Sequence, residues 1–210
     1  MKVNEIFYSI EGEGIRAGMP CVFIRLHGCN LNCSYCDTRY SCEGNDYCEM
    51  SVQGILEEIK KYNCENVTVT GGEPLIHTDI DKLLIELKRA GYSINVETNG
   101  TVVPKIPEII YTVDYKTNAS GMSDKMNIEV FDALDDTDVI KFVVGSVEDL
   151  QQARDFIFAH PTLAHIFVSP VFGMIEPSVI VDFLKENNLT DWRVRLQLHK
   201  YIWEPKKRGV

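Results

Sequence analysis

The chain has 210 residues, 45% hydrophobic and 25% charged, a length that suits one domain with a sizeable core and a composition that excludes a largely disordered polypeptide. Its net charge of −10 argues against a nucleic-acid backbone or an anionic membrane surface as partner. No apolar run approaches the roughly 20 residues that span a bilayer, and the polar opening Met1–Glu5 lacks a secretory apolar region, so the expectation is a soluble cytoplasmic protein.

In chain order, the run Phe7–Gly14 precedes a first strand-length apolar segment, Cys21–Leu26. Further segments of this kind are Val67–Thr70, Ile94–Glu97, Ile109–Asp114, Val139–Val144, Ile166–Ser169 and Val194–Leu198. Several are nearly continuous in Val and Ile, the pattern of strands buried on both faces. Helical periodicity fills the gaps. Val52–Tyr62 places Ile55, Ile59 and Tyr62 on one stripe, and Asp79–Ala90 does the same with Ile80, Leu83, Leu84 and Leu87. Ser146–Ala159 and Pro177–Glu186 also read as helices, opened by Ser146 and by Glu176-Pro177. Met126–Leu134 fits a short helix or a loop.

This alternation predicts an α/β fold with a mostly parallel sheet and right-handed crossovers, either curled into a partial barrel or open and doubly wound. Both architectures bind ligands beyond the carboxyl ends of their strands. Polar motifs fall there repeatedly: Gly28-Cys29, Gly71-Gly72-Glu73-Pro74, Thr98-Asn99-Gly100, Lys116 and Ser169-Pro170.

The chain has seven cysteines. An odd count without an export signal suits reduced thiols or metal ligands rather than a disulfide framework. Cys29, Cys33 and Cys36 form C-x3-C-x2-C on a segment whose Gly28, Asn30 and Asn32 permit a loop. Soft thiolates select zinc or an iron–sulfur cluster, and both normally take four ligands. Three leave one corner for His27, for Cys42 or for a small molecule. Cys42 and Cys48 otherwise read as incidental thiols, and Cys21 and Cys64 as doing no chemistry.

The run Cys29-Asn30-Leu31-Asn32-Cys33-Ser34-Tyr35-Cys36 resembles the signature of the radical S-adenosylmethionine (SAM) superfamily, and Thr70-Gly71-Gly72-Glu73-Pro74 resembles its second motif. Ser9-Ile10-Glu11-Gly12-Glu13-Gly14, Arg25-Leu26-His27-Gly28-Cys29, Cys36-Asp37-Thr38, Glu97-Thr98-Asn99-Gly100-Thr101 and Leu196-Gln197-Leu198-His199-Lys200 narrow the likeness to the 7-carboxy-7-deazaguanine synthases. The resemblance covers nearly the whole chain. It implies a partial, TIM-like barrel with outer helices, formed by a single domain over 1–210 with an N-terminal substrate-binding segment and a short C-terminal extension.

The implied reaction contracts the ring of 6-carboxy-5,6,7,8-tetrahydropterin to 7-carboxy-7-deazaguanine with loss of ammonia, using a 4Fe-4S cluster, SAM and Mg2+. The implied partners are the pterin, an electron-donor protein such as flavodoxin or ferredoxin, and a second copy in a homodimer. Carried over residue by residue, Cys29, Cys33 and Cys36 hold the cluster and Thr38 holds magnesium. Ile10, Glu11, Gly12, Arg25, Thr70 and His199 face the substrate. Tyr35, Cys36, Asp37, Gly72, Asp114, Tyr115, Lys116, Ser169, Pro170, Val171 and Phe172 face SAM. Glu97 and Asn99 either bond the ribose or stabilise a turn. Glu11 departs from the glutamine of many members, and Trp203–Val210 runs past the shorter family pattern. The rival readings are a glycyl-radical-enzyme activase and a non-enzymatic zinc-binding module.

Overall fold

Nine strands form one sheet in the computed structural model, which describes residues 1–210. β1 (Lys2–Ile10) pairs antiparallel with β2 (Pro20–Leu26) and with the two-residue β3 (Cys48–Glu49). Six further strands continue parallel from β2: β4 (Asn66–Gly71), β5 (Ser93–Thr98), β6 (Ile110–Tyr115), β7 (Val139–Val144), β8 (His165–Pro170) and β9 (Arg193–Val194). The order is β3-β1-β2-β4-β5-β6-β7-β8-β9, and its two ends do not pair. The sheet is therefore an incomplete barrel, as expected.

Helices cover the outer face. α1 (Val52–Ile59) begins at Ser51, whose hydroxyl accepts from Gly54 N, and α2 (Ile80–Arg89) follows β4. The short α3 (Ile128–Asp132) occupies the segment left between helix and loop, with Asn127 as its cap. α4 (Val147–Ala159) is capped by Ser146, and α5 (Pro177–Glu186) opens on Pro177, where a missing N–H costs nothing.

Strand alternation divides the sheet into two chemistries. Val22, Ile24, Val67, Val69, Val96, Val113, Ile140, Phe142 and Val168 join helix residues such as Leu83, Leu87, Leu150 and Ile180 in one apolar core. The intervening residues, Arg25, Thr68, Thr70, Asn95, Glu97, Thr112, Asp114 and Lys141, lie outside that core on the concave side. At the amino ends of β4 and β5, the nearly buried Arg16 donates to Val67 O at 3.0 Å, Thr68 Oγ1 at 3.0 Å and Ser93 O at 2.8 Å, stitching that rim together.

Two departures from the periodicity have local causes. β1 lacks the apolar run that marks the other strands because its side chains are mostly half-exposed and mixed in polarity. The expected strand Val194–Leu198 pairs only at Arg193–Val194. Beyond it, Gln197 donates to Glu13 and Leu198 N donates to Gly12 O, which pulls the chain off the sheet into α6 (His199–Ile202).

Candidate active site

One cavity opens at the carboxyl ends of the strands, and the expected site residues line it, with three exceptions. Tyr115 packs its ring among Phe131, Phe142 and Phe156 on the outer face, and Ser169 and Pro170 are buried away from the cavity wall.

Cys29, Cys33 and Cys36 sit on the loop after β2. That loop is held by Ser34 N on Ser120 O at 3.0 Å, by Cys36 N on Cys33 O at 3.3 Å and by Arg39 Nη2 on Cys33 O at 2.8 Å. The Cys42 thiol, whose Sγ donates to Thr38 O at 3.7 Å, stands beside Cys29 and Cys36 and, against the effect of burial, lowers each to about 6. Leu31 N at 3.4 Å and Asn99 Nδ2 at 3.7 Å also point at Cys29 Sγ. Two of the three sulfurs are thus shifted toward the thiolate, the form that binds metal. Burial instead raises Cys33. Cys42 lines the same cavity wall, whereas Cys48 is exposed on β3. His27 is turned away, its Nε2 on Gly44 O at 3.1 Å and its ring against Tyr47.

The glycine-rich loop after β4 lies against the cysteine loop so closely that a Cβ on Gly72 would stand 2.8 Å from Cys29 Cβ. Glu73 is the tether. Its fully buried carboxylate accepts from Leu75 N at 2.9 Å, Thr98 Oγ1 at 2.7 Å and Asn99 N at 2.6 Å, and burial lifts it to about 7. Asn99 also reaches Asn30 Oδ1 at 2.9 Å, so it braces the turn and the cysteine loop together.

On the other side, Arg25 gives its Nε to Glu5 at 2.7 Å and stacks over Phe7, which fixes the plane of its guanidinium at the wall. Thr70 donates to Glu97 at 2.8 Å, and burial raises Glu97 above the ordinary carboxylate range. His199 presses on Gly12, where a Cβ would stand 2.5 Å from Nδ1. Burial lowers the His199 pKa, which favours a neutral ring. Thr38 Oγ1 lies 3.9 Å from Cys36 Sγ. Asp37 is paired with Lys200 at 2.7 Å, and this lysine outweighs burial to hold the carboxylate below its usual range. Glu11 is 1% exposed; it accepts from Thr68 and lies 3.8 Å from Arg16, so its carboxyl points beneath the cavity floor. Burial and the nearby Glu97 raise it to about 8.

A buried ion chain forms the floor. Lys116 pairs with Asp114 at 2.9 Å, while Lys141 pairs with Asp114 at 3.0 Å and with Glu13 at 2.8 Å. Burial alone would raise Glu13, yet Lys141 brings it below its ordinary value. Glu13, Lys141, Gln197 and Arg16 were not expected in these roles. The available signal was Lys141, the lone charge in Val139–Val144.

A family model described as the radical SAM superfamily matches residues 23–113. A 7-carboxy-7-deazaguanine synthase from Clostridium acetobutylicum is 45% identical over 100% of this chain and 99% of its own length. One from Methanospirillum hungatei is 43% identical over 98% of this chain and 86% of its own. Among solved structures, QueE from Escherichia coli superposes with a TM-score of 0.79 at 27% identity, covering 94% of each chain.

Proposed function

The chain belongs to the 7-carboxy-7-deazaguanine synthase family, and on that premise we propose that it contracts 6-carboxy-5,6,7,8-tetrahydropterin to 7-carboxy-7-deazaguanine, with loss of ammonia, for queuosine and 7-deazapurine biosynthesis. The carrying observation is that three cysteines and Gly72 form one wall of a cavity whose other wall holds Arg25, Thr70 and His199.

The donor set fits a 4Fe-4S cluster: Cys29, Cys33 and Cys36 would hold three irons, leaving the fourth to the amino and carboxylate groups of SAM. When bound, cluster and SAM supply the one-electron chemistry that removes a hydrogen atom from the pterin. The remaining work falls to the chain. The absence of a side chain at Gly72 lets its loop close directly onto Gly28 and Cys29, where its backbone would meet the methionine end of SAM, and Tyr35, Asp37, Asp114, Lys116, Val171 and Phe172 line the cavity that would take the remainder. Arg25, oriented by Glu5 and Phe7, offers its fork to the pterin carboxylate. Backbone groups of Ile10, Glu11 and Gly12 read the heterocycle edge, with His199 neutral against Gly12. The ion chain from Lys116 to Glu13 ties the floor together around the buried Lys141. Thr38 would contribute a hard hydroxyl oxygen to Mg2+.

Residues 1–210 act as one domain, and the family resemblance supports a homodimer, reduction by a flavodoxin or ferredoxin and a cytoplasmic location. No helix is long and apolar enough to cross a membrane.

The test is anaerobic reconstitution with iron and sulfide, then incubation with SAM, a reductant, Mg2+ and the pterin, with mass spectrometry for the deazaguanine acid. Cys33→Ala is expected to abolish 5′-deoxyadenosine formation, and undiminished formation would remove the cluster assignment. Thr38→Ala is expected to flatten the Mg2+ dependence of turnover; an unchanged response would take Thr38 out of the metal site.

A further inference from the structure

The segment Pro205–Val210 lines the same cavity as the cysteine loop. It carries no strand or helix, and its backbone makes one hydrogen bond, Lys207 N to Glu204 O at 2.9 Å. A stretch so poorly held by its own main chain stays in place only through side chains. One residue provides them. The Arg208 guanidinium lies 3.8 Å above the Tyr40 ring, and its Nη2 donates to Asp46 Oδ2 at 2.9 Å and Asn4 Oδ1 at 3.4 Å. Asn4 in turn donates to Asp46 O, so strand β1, the loop around Asp46 and this segment meet at one point.

The contact leads inward. Tyr40 donates its hydroxyl to Glu5 Oε1 at 2.9 Å, and the same oxygen receives Arg25 Nε at 2.7 Å. Whatever fixes the Tyr40 ring also fixes the carboxylate that orients Arg25. We propose that Arg208 is a positioning residue: a guanidinium latch that holds Pro205–Val210 across the cavity and, through Tyr40 and Glu5, sets the presentation of Arg25 to an anionic substrate. The latch also keeps Lys206 and Lys207 at the cavity wall, where their charge favours a ligand bearing a carboxylate. This role rests on the reading of the cavity as the pterin site.

Two measurements separate the latch from that reading. The first is the rate of tryptic cleavage after Lys206 and Lys207 in the reconstituted enzyme, followed by intact mass, which tracks local opening without reference to turnover. Arg208→Ala and Tyr40→Leu are each expected to speed it about tenfold, with Arg208→Lys intermediate because an ammonium keeps the Asp46 pair and loses the flat face. Equal rates in wild type and Arg208→Ala would overturn the latch, and full protection by lysine would overturn the stacking. The second is steady-state kinetics with 6-carboxytetrahydropterin: Arg208→Ala is expected to raise KM about fivefold at unchanged kcat and iron content, the signature of lost uniform binding. An unchanged KM would overturn the coupling to Arg25. A wild-type enzyme that leaves the pterin unconverted would overturn the functional reading, while the cleavage rates would still decide the latch.

Discussion

On its outer side the parallel sheet meets the helices through Val22, Ile24, Val69, Val113, Ile140 and Phe142, and on its inner side the alternate residues are Arg25, Thr70, Glu97, Asp114 and Lys141. Both sets come from the same strands and both are largely withdrawn from water. The outer set is interchangeable in kind, because apolar burial is non-directional and only volume is strict. The inner set is specific in identity, because each buried charge tolerates its position only beside its named partner. The strands therefore hold a stability layer and a chemistry layer one side chain apart.

The sharpest way to break this distinction is to remove one charge from the inner layer. Lys141→Met leaves Glu13 unpaired and Asp114 with Lys116 alone, and an uncompensated buried charge of this kind costs about 3–5 kcal/mol. Urea unfolding should show the midpoint falling accordingly; a midpoint within experimental error of wild type would mean that the ion chain is solvated and that the two layers do not differ as described. Leu83→Ala tests the outer layer. Its fully buried side chain on α2 should cost about 2–5 kcal/mol, most of it transfer and cavity energy. Pterin affinity of the folded fraction should remain unchanged, since Leu83 does not reach the cavity. A parallel loss of affinity would show the layers to be coupled.

The smallest effect is the most diagnostic of charge. With Glu11 raised to about 8 by burial, the folded protein keeps a proton that the unfolded chain sheds near the ordinary carboxylate value. Stability from this group therefore falls as pH climbs between those two values. Glu11→Gln has no proton to lose, so its stability relative to wild type should rise across the same window. Unfolding midpoints at pH 5 and pH 8 decide it; a constant difference would mean that Glu11 is ionised in the folded state.

The two layers were unequally legible. Outer-layer strands such as Val139–Val144 and helices such as Pro177–Glu186 follow from short-range periodicity, and the structure reproduces those bounds. The cysteine loop was readable for the same reason, since Cys29, Cys33 and Cys36 are close neighbours in the chain. The Glu13–Lys141 pair and the Gln197–Glu13 hydrogen bond join residues far apart in sequence, and no local pattern announces them. The same limit hid Arg208, whose partner ring lies near the opposite end of the chain. Where such a distant bond bends the backbone, as at Gln197, the local reading fails and the expected strand Val194–Leu198 stops pairing after Val194, ahead of α6.

Glu73 carries a consequence for engineering. One carboxylate ties the turn at Leu75 to Thr98 and Asn99, and Asn99 continues the tie to Cys29 and Asn30. The three surface segments that follow β2, β4 and β5 therefore form a single exchangeable cassette. A graft that imports any one of them from another enzyme arrives without its counterparts, and recombination between relatives keeps this tie intact when the crossover points fall outside residues 29–99.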